Sequence, residues 1–106
     1  MGLFDFFKAP AIDQGVVEYS ETNGAVLLDV RTREEYQDGH IPGSINIPFQ
    51  ELAGIESVVQ NKSTPIFSYC LSGARSAQAS AELRCRGYVS VKNIGGINRY
   101  SGKIER

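Results

Sequence analysis

Apolar residues in this 106-residue chain come in short runs rather than long stripes. The clearest is Ala25-Val26-Leu27-Leu28-Asp29-Val30. It is almost continuously apolar, as a strand buried on both faces is, and it follows the turn pair Asn23-Gly24. Ile66-Phe67-Ser68-Tyr69-Cys70 reads as a second buried strand, with Pro65 at its entry, where a missing N–H costs a strand least. The turn His40-Ile41-Pro42-Gly43 leads into a short strand, Ser44-Ile45-Asn46-Ile47, and residues 88–92 read as a last one. Helical patterns fill the gaps. Residues 12–23 are weakly helical. Thr32 caps a short helix with Glu34 and Glu35 in its first turn, where the dipole favours them, and Gly39 ends it. Residues 49–60 form one or two short helices interrupted near Gly54. Residues 76–86 carry core spacing at Ser76, Ala79, Ser80 and Leu83, with Gly87 as a C-cap. Gly95-Gly96 reads as another tight turn, and residues 97–106 as a polar tail or short helix. Strands alternating with helices predict an α/β fold: three layers, a mostly parallel central sheet with helices on both faces. In such folds the site lies outside the carboxyl ends of the strands, here Cys70 and the stretch Asp29-Val30-Arg31.

The first residues depart from this pattern. Leu3, Phe4 and Phe7 fall on one helical face, and Pro10 limits any helix there. The sequence divides into an apolar extension, residues 1–11, and a single domain, residues 12–106. The extension is either a self-packed terminus or a docking element for a partner, a second copy or a membrane surface. A net charge of −1 with no basic patch argues against a nucleic-acid partner. Two cysteines are far from the Cys-dense pattern of a secreted scaffold. No apolar run is long enough for a transmembrane segment, and the N-terminus lacks the features of a signal peptide. The expected location is the reducing cytoplasm. His40 is the single histidine, so no histidine cluster for a metal exists, and no cofactor is expected.

Chemistry concentrates at Cys70. A cysteine at a strand end, followed by the short turn Leu71-Ser72-Gly73-Ala74-Arg75 and then a helix, lies where the turn's N–H groups converge and the helix dipole is positive. Both favour thiolate over thiol, so Cys70 is the candidate nucleophile. Gly73 lets the loop curl, because it tolerates positive φ. Cys85 lies some eleven residues further on, about 16 Å at ~1.5 Å per helical residue. That is beyond the Cα separation of about 7 Å that a disulfide allows.

The motifs resemble, in order, those of the rhodanese (thiosulfate sulfurtransferase) family, single-domain type. They are Leu28-Asp29-Val30-Arg31, Glu34-Glu35-Tyr36, the run from Gly39-His40-Ile41-Pro42-Gly43 to Pro48, the Cys70 loop, Arg75-Ser76 through Leu83 to Gly87-Tyr88, and Gly95-Gly96. They span residues 26–100. The aromatic that usually follows the double glycine is here matched best by Tyr100, and the tail after it is short. The resemblance implies sulfane-sulfur transfer from a donor such as thiosulfate to a thiol or cyanide acceptor, through a covalent persulfide on Cys70. It implies a substrate cradle of Leu71, Ser72, Gly73, Ala74 and Arg75. The backbone N–H groups would hold the persulfide, Ser72 would add a hydroxyl donor, and Arg75 would bring a cation to an oxyanion. Arg31 is either a rim residue of that site or part of a structural network with Asp29. His40 looks structural. Two alternatives stand beside the enzyme. One is a sulfur-carrier or interaction module whose donor is another protein's persulfide. The other is a phosphatase or arsenate reductase of the same fold, whose loops look one residue longer than the six residues from Cys70 to Arg75.

Overall fold

The computed structural model describes residues 10–106. Leu3, Phe4 and Phe7 lie outside the described residues. Four strands form one parallel sheet: β1 (Val26–Asp29), β2 (Ser44–Asn46), β3 (Ile66–Cys70) and β4 (Val91–Gly96), in the order β2-β1-β3-β4. Helix α1 (Ala11–Ser20) packs on one face, against β4, β3 and β1. Helix α4 (Ala74–Cys85) packs on the other, against β3 and β4, and meets the 3-10 turn Phe49–Gly54. The short helices α2 (Arg33–Asp38) and α3 (Ile55–Val58) complete the connections. No helix among the described residues is long and apolar enough to cross a membrane.

The pleat explains why the two central strands are apolar throughout. Side chains alternate between faces, so Leu28, Ile66 and Cys70 join one core cluster with Ala79, Leu83 and Tyr88, while Leu27, Phe67 and Tyr69 join another with Ile12, Ile41 and Ile94. All five residues of β3 are buried. The helix that follows is built from small residues because its buried positions, Ser76, Ala79, Ser80 and Leu83, must lie close on that strand. Ser68 and Ser80 satisfy each other's hydroxyls at 2.7 Å, so two polar groups are buried without an orphan.

β4 departs from the sequence expectation. The last strand runs from Val91 to Gly96, not over residues 88–92. Tyr88 is a core residue instead, 2 % exposed, its hydroxyl donating to the carbonyl of Val59. Gly95-Gly96 is not a turn but the end of β4. Ser68 pairs with Asn93 and Tyr69 with Gly95, which leaves Ile94 as an extra residue, a bulge. Gly95 takes φ 111°, the positive value at which glycine carries no steric penalty, and Ile94 drops into the core under α1. The bulge sets Gly96 beside Cys70.

Candidate active site

Strand β3 delivers Cys70 to the carboxyl edge of the sheet, and the chain turns over it before α4 begins. Gly73 occupies the N-cap of α4 with φ 104° and ψ −10°, a left-handed conformation that bends the loop back on the sulfur. The Cys70 Sγ accepts from the Gly73 N–H at 3.0 Å and from the Ser76 N–H at 3.4 Å, and the Ser76 hydroxyl lies 3.4 Å away. Burial pushes the Cys70 thiol up. The hydrogen bonds from the Ser76 side chain and from the backbone of Ser76, Gly73 and Ser72 outweigh it and bring the thiol below its ordinary value. Hydrogen bonding to the charged form prevails over desolvation. Cys70 itself is 1 % exposed, on the floor of a loop whose Leu71, Ser72 and Ala74 face solvent.

Of residues 71–75, expected as a cradle, only part reaches the sulfur. The amide of Gly73 reaches the sulfur, and the next strong donor is Ser76, one residue beyond that stretch. The Leu71 carbonyl accepts from the Asn98 N–H at 3.1 Å, which anchors the loop's outer arm. The resemblance implies Arg75 as a cation for an oxyanion. In the fold it is held by Glu35, Nη1 to Oε1 at 2.9 Å and Nη2 to Oε2 at 3.1 Å, a fork-to-fork geometry. The Arg75 hydrogen bonds hold the Glu35 carboxyl down at about 2. Glu35 Oε1 also accepts from the Thr32 N–H at 3.0 Å, and the Thr32 hydroxyl accepts from the Glu35 N–H at 3.1 Å. One carboxylate therefore closes the capping box of α2 and holds the loop arginine.

Arg31 requires a correction. It is 5 % exposed, donating to Asp29 through its backbone at 2.8 Å and through Nε and Nη2 at 2.8–3.1 Å, and to the Gly39 carbonyl at 2.7 Å. Asp29 is fully buried, and a buried carboxylate needs such a partner. The guanidinium is committed to tying β1 to the turn after α2, so substrate binding by Arg31 does not fit its placement. His40 stacks on Tyr36 with ring centroids 3.7 Å apart, and its Nδ1 lies 2.8 Å from the Tyr36 carbonyl. Cys85 is a free, exposed thiol.

Three residues, Asn93, Gly96 and Tyr69, take roles that the sequence reading did not assign. Asn93 receives the Ser76 hydroxyl at 2.7 Å and the Gly95 N–H at 3.1 Å on its Oδ1, and donates to the Gly73 carbonyl at 3.2 Å. It joins the bulge, the loop and the helix start. Gly96 allows the loop to lie on β4: a Cβ there would sit 2.3 Å from the Leu71 carbonyl oxygen and 2.6 Å from the Ser72 Cα. Tyr69 places its hydroxyl to accept from the Ile41 N–H at 3.1 Å, which fixes the turn ahead of β2. Each works through a neighbour distant in sequence.

A thiolate-favouring sulfur in a ring of amides can attack a soft electrophile and stabilise an anionic adduct. Comparison with known proteins agrees with that chemistry. The family model described as "Rhodanese-like domain" matches residues 14–103. The thiosulfate sulfurtransferase PspE of Escherichia coli (strain K12) is 41% identical over 71 residues, 66% of this chain and 68% of that protein. YqhL of Bacillus subtilis (strain 168) is 35% identical over 82 residues, 76% of this chain and 64% of that protein. A solved structure described as "rhodanese with anions from E. coli" superposes with a TM-score of 0.72 at 35% identity, covering 77% of this chain and 98% of that one.

Proposed function

This chain belongs to the rhodanese-like domain family, and from that premise we propose that it moves sulfane sulfur through a persulfide on Cys70, with thiosulfate as a competent donor. Sulfur transfer in general is what its relatives' names describe. In the first step the Cys70 thiolate attacks the outer sulfur of thiosulfate. A bond forms between Sγ and that sulfur, the sulfur–sulfur bond of the donor breaks, and sulfite leaves with the electron pair. In the second step a thiolate or cyanide attacks the outer sulfur of the persulfide, and the pair returns to Cys70 Sγ. The loop amides and the Ser76 hydroxyl offset negative charge on sulfur in both steps. Arg75 still has N–H groups beyond the two spent on Glu35, and these are the ones left to donate to the sulfonate of a donor.

The observation that carries this reading is the 3.0 Å hydrogen bond from the Gly73 amide to the Cys70 sulfur, set by the left-handed Gly73. The test is to incubate the purified chain with thiosulfate and weigh it intact. The expected result is a gain of one sulfur atom, absent in Cys70→Ser and kept in Cys85→Ser. No gain in the wild type, or equal gain in Cys70→Ser, would overturn it.

One observation favours a second reading. Glu35 neutralises the cation that would draw an anionic donor, which suits a carrier fed by a neutral or protein-bound persulfide. Comparing persulfide formation from thiosulfate and from an uncharged organic persulfide separates the two.

A further inference from the structure

Asn93 sits within β4 on the face that α4 covers, opposite Ser68, whose hydroxyl meets Ser80 of that helix. Its partners fix which way its amide points. The Gly95 N–H is a donor and meets Oδ1 at 3.1 Å, and the Gly73 carbonyl is an acceptor and meets Nδ2 at 3.2 Å. The second lone pair of Oδ1 receives the Ser76 hydroxyl at 2.7 Å. The same hydroxyl oxygen lies 3.4 Å from Cys70 Sγ. A hydroxyl has one proton to give, so Asn93 and the sulfur compete for it. An uncharged sulfur is a weak acceptor and loses to an amide oxygen. A thiolate is a charged acceptor and wins. The other donors to the sulfur, the Gly73 and Ser76 amides, are fixed in direction by the backbone.

We propose that Asn93 is a positioning residue for sulfur transfer: it holds the Ser76 hydroxyl proton while Cys70 Sγ is uncharged and yields it when charge arrives on that sulfur. This rests on the reading that Cys70 carries a persulfide. In the persulfide, Sγ is bonded to the outer sulfur and uncharged, and the hydroxyl stays on Asn93. When an acceptor thiolate bonds to the outer sulfur, the bond to Sγ breaks and its electron pair moves onto Sγ. The hydroxyl then rotates to meet the new charge, its proton remaining on Oγ. The donor thus strengthens as the charge forms rather than before. The loop keeps another tie without Asn93, since the Gly73 carbonyl also accepts from the Ala77 N–H at 3.0 Å. The charged groups of the surrounding elements are paired elsewhere: Arg75 of α4 with Glu35 of α2, Asp29 of β1 with Arg31, Glu51 of the 3-10 turn with Arg33, and Lys92 of β4 with Glu18 of α1. Of the tyrosines, Tyr88 donates to the Val59 carbonyl, and Tyr69 lies on the opposite face with Ile41 and Ser44. An uncharged substitution at Asn93 leaves all of these pairs in place.

The first measurement leaves Asn93 in place. The side-chain carbonyl carbon of Asn93 is followed by NMR in the full chain as pH carries Cys70 through its ionisation. The resonance should move with the same midpoint as Cys70 alkylation, because Oδ1 loses a hydrogen bond, and it should stay still in Ser76→Ala. No movement in the wild type, or equal movement in Ser76→Ala, would overturn the proposal. The second measurement is alkylation of Cys70 by iodoacetamide in a Cys85→Ser background. Asn93→Leu removes the competing acceptor, so the pH midpoint should fall and the rate below it should rise about two- to tenfold, the worth of one hydrogen bond. In Ser76→Ala the same substitution should bring no gain, since the two residues act through one contact. A merely structural Asn93, supporting only Gly73 and Gly95, would move the midpoint up instead and overturn the proposal. If Asn93→Leu fails to fold, the carbon resonance decides. Neither measurement uses the persulfide. If thiosulfate never loads Cys70 while Asn93 still follows its charge, the sulfur-transfer reading fails and the positioning of Ser76 stands. If Cys70 loads and Asn93 stays silent, the positioning fails alone.

Discussion

Ser76 has one hydroxyl proton and three acceptors within reach: Asn93 Oδ1 at 2.7 Å, the Gly73 carbonyl at 3.2 Å and Cys70 Sγ at 3.4 Å. With a neutral thiol, the shortest contact takes the proton. When Cys70 ionises, the sulfur becomes the charged acceptor, and a rotation of the hydroxyl answers it. Ser76→Ala removes that response and one of the groups that holds the thiol low. The pH midpoint of Cys70 alkylation by iodoacetamide should therefore rise. The rate at neutral pH should fall about two- to tenfold, the worth of one hydrogen bond of ~0.5–1.5 kcal/mol. An unchanged profile would mean that the amides alone set the sulfur's acidity. Glu35 acts in the opposite sense on the donor. Glu35→Gln keeps the capping-box geometry but removes the negative charge that is paired with Arg75. Persulfide formation from thiosulfate should rise by about two- to fivefold, because a partly exposed ion pair contributes ~1 kcal/mol at most. A rate that falls instead would mean that the pair orients Arg75 rather than shielding it.

At the scale of elements, the glycine pair decides how closely β4 and the loop approach. Gly96→Ala would put a Cβ against the Leu71 carbonyl and the Ser72 Cα, and neither can retreat without moving the loop. Overpacking of this kind costs about 1–3 kcal/mol. Differential scanning calorimetry should show that loss, and sulfur transfer should fall more steeply than stability, because the displaced backbone is the cradle itself. The same glycines mark where the sequence was legible and where it was not. β1, β3 and the buried stripe of α4 could be read locally, because burial on both faces leaves continuous apolar runs and a helix on a strand leaves small residues at regular spacing. β4 could not. Its run Val91-Lys92-Asn93-Ile94-Gly95-Gly96 is interrupted by a polar residue that serves the loop and by glycines that serve close approach, so it reads as a turn. Cys70 and Gly73 stood out through strand–turn–helix grammar. The roles of Glu35 and Asn93 did not, because their partners lie 40 and 17 residues away, at Arg75 and Ser76.

Across the whole molecule, the C-terminal segment binds the elements on one side together. Glu105 pairs in antiparallel fashion with His40, Arg106 donates to the Asp38 carbonyl at 2.7 Å, and Ile104 lies against Gly39. Removing residues 103–106 should lower the melting temperature by about 4–8 °C if the segment contributes ~1 kcal/mol. Persulfide formation on Cys70 should persist, since none of these residues meets the loop. Acidity adds a second global signature. Glu35 is held at about 2 against an ordinary 4.5. A carboxyl with a lowered folded value stabilises fully above 4.5 and loses that contribution as pH falls towards 2. Thermal melts across that window should show a decline in the wild type that is shallower in Glu35→Gln. The shared Glu35 oxygen has one more consequence. It accepts from the Thr32 amide and from Arg75 together, so an anion in the loop that draws Arg75 aside strengthens what remains at Thr32. That amide is a resident reporter: its nitrogen–proton resonance and its solvent-exchange rate register the occupancy of a loop some forty residues distant, without a label on the sulfur.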